Sequence, residues 1–206
     1  MANNTKLIQE YLDEILPNVG CELTYSKDYE LLIAVMLSAQ TTDKAVNKAT
    51  DALFSKYKSL EELASASKED IIPYIAHLGM YQNKAEHVIG IAKALLERFN
   101  GKVPFKKEEL TSLPGVGNKT AEVVRIELFK DPEFPVDTHV ARISKRLGLA
   151  KNSDDVLIIE KKLRKAFPST SWIKLHHQFI HFGRYFCKAK NPQCEDCKLY
   201  DICKEK

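Results

Sequence analysis

Four cysteines stand in the last twenty residues of the chain: Cys187, Cys194, Cys197 and Cys203, with six, two and five residues between them. The fifth cysteine, Cys21, lies far away in sequence and reads as a buried free thiol. Thiols this crowded, in a chain whose N-terminus lacks an apolar signal core, point to metal rather than to disulfides. Zinc ribbons usually show two Cys-x-x-Cys knuckles, and this cluster has one, Cys194–Cys197. The uneven loops also suit an iron–sulfur cubane, which takes four thiolates. Spacing alone leaves zinc and iron–sulfur both open.

The phrase Leu113-Pro114-Gly115-Val116-Gly117-Asn118-Lys119-Thr120-Ala121 carries a second chemistry. Gly115 and Gly117 allow a tight turn and let backbone approach another surface closely. A helix starting near Asn118 points free amide groups outward, and such an end attracts phosphate oxygens. With a short helix expected over 107–112, the phrase reads as a helix–hairpin–helix that grips a nucleic-acid backbone without reading bases. A bare Gly-x-Gly would instead be an ordinary capped corner.

Lys119 falls in the first turn of that helix, where the positive end of the helix dipole disfavours a second positive charge. A free amine there can act as a nucleophile and form a Schiff base. The plainer role is a solvated lysine on a phosphate. Asp137, in Val136-Asp137-Thr138-His139-Val140, precedes another helix and suits an N-cap. It could also face Lys119 across a cleft and stabilise a developing cation. Arg142, Lys145 and Arg146 follow as phosphate contacts or as a solvated basic face. His177 and His181 have the four-residue spacing of helical metal ligands, but no carboxylate motif accompanies them, so helix packing is the plainer role.

The elements that must position these groups are nearly all helices. Leu7, Ile8, Tyr11, Leu12 and Ile15 recur at helical spacing before Pro17. Asp28 suits the cap of a very apolar helix over 29–39, which predicts central burial. Further helices are expected over 45–57, from a capping box at Ser67–Asp70, and over 84–99, where Asn100-Gly101 ends the pattern. Others are expected over 118–129, 138–147, 155–167 and 171–186. No convincing strand alternation occurs, and 130–135 reads as a linker.

A chain of 206 residues with 44% hydrophobic content can build one large or two small intimate domains. A formal net charge of +3 neither demands nor excludes a nucleic-acid partner. No run of 18 apolar residues suggests a membrane span, and a cytoplasmic setting is expected.

Taken in order, Met36-Leu37-Ser38-Ala39-Gln40-Thr41-Thr42-Asp43, the Leu113–Ala121 hairpin, Val136–Val140 and the four-cysteine loop resemble the endonuclease III family. His176-His177 through Gly183-Arg184-Tyr185 adds to the resemblance, which runs from about residue 28 to 204. The family comprises bifunctional DNA glycosylases and abasic-site lyases of the helix–hairpin–helix superfamily. The resemblance implies an all-α, two-lobed fold: a six-helix barrel lobe over 21–131, and an iron–sulfur cluster lobe over 1–20 and 132–206, with DNA over the groove between them. It moves the metal assignment to a [4Fe–4S] cluster.

By the same resemblance the catalytic pair is Lys119 and Asp137. Gln40 plugs the gap left by a flipped nucleotide and Met80 is a second wedge; its plainer role is a core filler. Wedges of this kind replace lost base stacking. Gly115, Gly117, Thr120, His139, Arg142, Lys188 and Lys190 complete the expected DNA surface. Adenine-specific relatives carry a glutamate in the early apolar helix. Residues 32–37 here have none, so the implied substrate is a damaged pyrimidine in double-stranded DNA, or an abasic site. A monomer at the nucleoid is implied. The alternatives are a glycosylase for another lesion or a non-catalytic DNA-binding module. Asn118, Glu122, Arg125 and Glu127 depart from the usual family pattern.

Overall fold

The computed structural model describes residues 2–205, and among them every regular element is helical. The chain divides into two compact units, Glu22–Phe129 and Met1–Cys21 with Lys130–Lys206.

The first unit is organised around α2 (Asp28–Leu37), whose residues Tyr29 to Leu37 are all buried. It packs against α3 (Asp43–Lys56), α6 (Tyr81–Phe99) and α8 (Asn118–Phe129). The short α4 (Leu60–Ser65) and α5 (Lys68–Ile75) lie against α6. The expected cap at Asp28 is corrected: Lys27 holds the cap position. Glu30 Oε2 reaches back to accept from the amides of Ser26 (2.8 Å) and Lys27 (3.2 Å), so Asp28 becomes the first helical residue. The capping box at Ser67 forms as its sequence predicts, with Ser67 N–H donating to Asp70 Oδ2 at 3.0 Å. Asn100 and Gly101 end α6 in left-handed backbone, with φ of 52° and 75°.

The second unit buries Ile8, Leu12, Phe134, Phe179 and Phe182 as its core. It comprises α1 (Ala2–Ile15), α9 (Thr138–Arg146), α10 (Val156–Ala166) and α11 (Trp172–His181). The single helix expected over 171–186 is interrupted. A widened π-turn occupies Phe182–Phe186, and Cys187 N–H donates to Phe182 O at 2.7 Å. Phe182 stacks on Phe186 at 5.2 Å there, so the wider turn lays two rings together just before the first clustered cysteine. His176 Nδ1 lies 2.9 Å from Pro135 O and His181 Nε2 lies 3.1 Å from Gly20 O. His176 and His181 thus each meet a loop carbonyl, and His177 between them is buried. Cys21 is half-buried rather than fully buried and forms no disulfide. Among the described residues no helix is long and apolar enough to cross a membrane.

Candidate active site and nucleic-acid interface

The hairpin is built by α7 (Lys107–Thr111), a turn closed by Val116 N–H donating to Leu113 O at 3.2 Å, and α8. Leu113 and Val116 are buried and anchor the turn from below. Gly115 has φ of 72°, and a Cβ there would sit 2.4 Å from His87 Nδ1 on α6. Conformation and space therefore both require glycine. A Cβ on Gly117 would meet nothing within 4 Å, so that glycine leaves open space in front of the first turn of α8. The leading amides of α8 have no intrahelical carbonyl to reach and suit a phosphate oxygen.

Lys119 is exposed in this first turn. Glu122 is buried one turn later, and Lys107 Nζ meets its Oε1 at 2.5 Å. Arg125 lies 5.1 Å over the Phe105 ring. Two departures from the usual pattern are thus answered within the hairpin unit: a carboxylate by a lysine, a guanidinium by an aromatic face.

Gln40 and Met80 share an uncommon backbone. Both are non-glycine residues in the left-handed region, with φ of 55° and 58°. Both are exposed, Met80 by 52%. Left-handed backbone of this kind costs about 1–3 kcal/mol and gathers at functional loops. The core-filler role for Met80 is excluded by its exposure.

In the other unit, Asp137 caps α9, with Oδ1 accepting from Val140 N–H at 2.8 Å. His139 is partly buried, and burial pushes its imidazole below the usual histidine range, which favours the neutral ring. Arg142 is half-buried, and its guanidinium is tied to backbone. Its Nη2 donates to Gly183 O at 2.7 Å and Cys187 O at 3.3 Å. Its geometry is that of a strut joining α9 to the cysteine loop. Arg146 adds a second strut, donating from Nη1 to Lys188 O at 2.7 Å and to Cys187 Sγ at 3.4 Å. Lys188 and Lys190 are exposed on the loop between the first two clustered cysteines.

The four thiols lie near enough to one another to interact, as the ligands of one metal group must. Burial first, then the neighbouring sulfurs Cys187, Cys194 and Cys203, pushes the Cys197 thiol up. Four thiolates this close repel and require a cationic centre.

Residues 33–169 match the HhH-GPD superfamily of base excision DNA repair proteins, and residues 187–203 match the iron–sulfur binding domain of endonuclease III. The chain is 44% identical over 205 residues to endonuclease III of Bacillus subtilis (strain 168), covering 98% of this chain and 94% of that protein. The chain belongs to the endonuclease III family. Endonuclease III of Haemophilus influenzae (strain Rd) is 41% identical over 206 residues, covering 99% of this chain and 97% of that one. A non-covalent endonuclease III–DNA complex superposes with a TM-score of 0.96 at 42% identity, over 100% of this chain and 96% of that one. A trapped endonuclease III–DNA covalent intermediate gives 0.95 at the same 42% identity, with the same shares covered. Membership in the endonuclease III family makes this chain a base-excision DNA glycosylase and abasic-site lyase with a [4Fe–4S] cofactor.

Two residues of this endonuclease III family site escape the sequence motifs: Lys84 and His87 on α6, which touch the Gln40 loop and the hairpin. Lys84 carried a usable signal. It shares the stripe of Val88, Ile91 and Leu95, where an apolar side chain is the norm.

Proposed function

We propose that this chain removes oxidised pyrimidines from double-stranded DNA and nicks the abasic strand through an imine at Lys119. The observation that carries the assignment is an exposed lysine in the first turn of α8, directly after a glycine turn that opens its amides to a phosphate. The backbone of Gly115 and Gly117, with Thr120, holds the strand beside the lysine. Lys119 Nζ attacks C1′ of the sugar, the C1′–N bond breaks, and the base leaves with a proton. The sugar ring opens to an imine, loss of a C2′ proton expels the 3′ phosphate, and water frees Lys119. Asp137 contributes negative charge that stabilises the cationic sugar and iminium. Its single capping bond occupies one carboxylate oxygen. His139 meets a phosphate as a hydrogen-bond donor, and Lys188 and Lys190 meet phosphates as charges.

Gln40 and Met80 fill the gap left by the extruded nucleotide. The strained, exposed backbone of both supports that role. Residues 32–37 of α2 are apolar and buried throughout, without the glutamate of adenine-specific relatives. A panel of duplexes, each with one lesion, tests this reading. Excision of oxidised pyrimidines with strand nicking is expected; excision of mispaired adenine alone would contradict it.

Cys187, Cys194, Cys197 and Cys203 hold the [4Fe–4S] cluster, which keeps the loop bearing Lys188 and Lys190 in shape. Purified protein should be yellow-brown, with about four irons and four sulfides per chain. Stoichiometric zinc without sulfide after anaerobic purification would contradict the ligand assignment. The protein acts as a monomer, in the cytoplasm at the nucleoid.

A further inference from the structure

α6 touches three of the loops that the proposed function places against DNA: the Gln40 loop, the Met80 turn and the hairpin. Met80 is its cap residue. One turn in, Lys84 Nζ donates to Ala39 O and to Thr41 Oγ1, both at 2.9 Å; these residues flank Gln40 on either side. Another turn in, the His87 ring lies beneath Gly115, and Gly90 lies beneath Pro114, where a Cβ would come within 2.9 Å of the proline ring. Positions 80, 84, 87 and 90 recur at helical spacing and share one stripe.

Lys84 is only 3% exposed. Both of these acceptors are neutral oxygens, and burial holds the ammonium below the usual lysine range. A methionine of similar length would fill the space without that desolvation penalty, so packing alone does not account for a lysine. A tetrahedral ammonium does what an apolar chain cannot: it holds the backbone before Gln40 and the hydroxyl after it at once.

We propose that Lys84 is a positioning residue for base extrusion, locking the loop of Gln40 to the helix that Met80 caps so that both side chains enter the duplex in fixed register. The inference rests on the gap-filling reading of Gln40 and Met80. Fixed register matters because a misplaced wedge leaves the unstacked base step uncovered.

The test uses full-length, cluster-loaded protein and 2-aminopurine placed beside the lesion, whose fluorescence reports unstacking. Lys84→Met should slow both the fluorescence rise and base excision from duplex by about tenfold or more, the scale of hydrogen bonds to a charged donor. Nicking of a single-stranded abasic oligonucleotide, which needs no extrusion, should fall far less. Lys84→Arg should restore part of the loss. Thr41→Val removes one acceptor, leaves the ammonium on Ala39 O, and should fall between; it decides the matter if Lys84→Met does not fold. Gln40→Ala should slow extrusion too, and adding Lys84→Met to it should slow it little further.

If Gln40→Ala extrudes the base at the parent rate, the gap-filling reading itself fails. If Gln40→Ala slows extrusion while Lys84→Met and Thr41→Val do not, the role of Lys84 is overturned alone. Equal loss on single-stranded and duplex substrates for Lys84→Met would also overturn it, as a merely structural effect.

Discussion

Lys119→Gln should cut nicking of an abasic duplex by about 10³-fold or more, the scale on which losing a covalent nucleophile falls. The variant keeps most of the side chain's length and some hydrogen bonding but cannot form an imine. Lys119 is exposed, so the substitution should change stability by no more than about 0.5 kcal/mol. Affinity for duplex DNA should persist, because the hairpin amides, Lys188 and Lys190 remain. Gel-shift binding measured beside single-turnover nicking separates the two effects. Equal loss of binding and nicking would make Lys119 a phosphate contact only.

Asp137→Asn separates a cap from a charge. Oδ1 of the natural residue accepts from Val140 N–H at 2.8 Å, and an asparagine oxygen can accept the same bond. Asn and Asp rank together as N-caps, so the stability loss should stay within about 1 kcal/mol. The negative charge that favours a cationic sugar is gone, and base excision should fall by about 10²-fold or more. Thermal unfolding and single-turnover excision, measured on one preparation, check both halves. A large drop in melting temperature with a proportionate loss of activity would reduce Asp137 to a structural cap.

Much of the site was legible because its residues sit in local phrases whose chemistry depends on spacing. The turn at Gly115 follows from two glycines around a buried valine, and α8 begins at Asn118 as expected. The cap role of Asp137 follows from its place before Thr138. What stayed hidden depends on contacts distant in sequence. The carbonyls that Arg142 bonds, of Gly183 and Cys187, are 41 and 45 residues away. Lys84 reads as a break in an apolar stripe until the carbonyl of Ala39, 45 residues earlier, is brought to its ammonium. The π-turn at Phe182–Phe186 was invisible for another reason: the aromatic spacing of Phe-Gly-Arg-Tyr-Phe does not distinguish an α turn from a π turn. Asp28 was mistaken for a cap because the carboxylate of Glu30 reaches the same amides from inside the helix.

Borohydride trapping bears most directly on Lys119. An imine between an amine and the opened sugar is reduced by borohydride to a stable amine, which leaves protein and DNA covalently joined. The cross-linked complex, digested and mapped by mass spectrometry, should carry the sugar remnant on Lys119 and on no other amine, and Lys119→Gln should give no cross-link. A remnant on a different lysine, or a cross-link that survives Lys119→Gln, would place the nucleophile elsewhere.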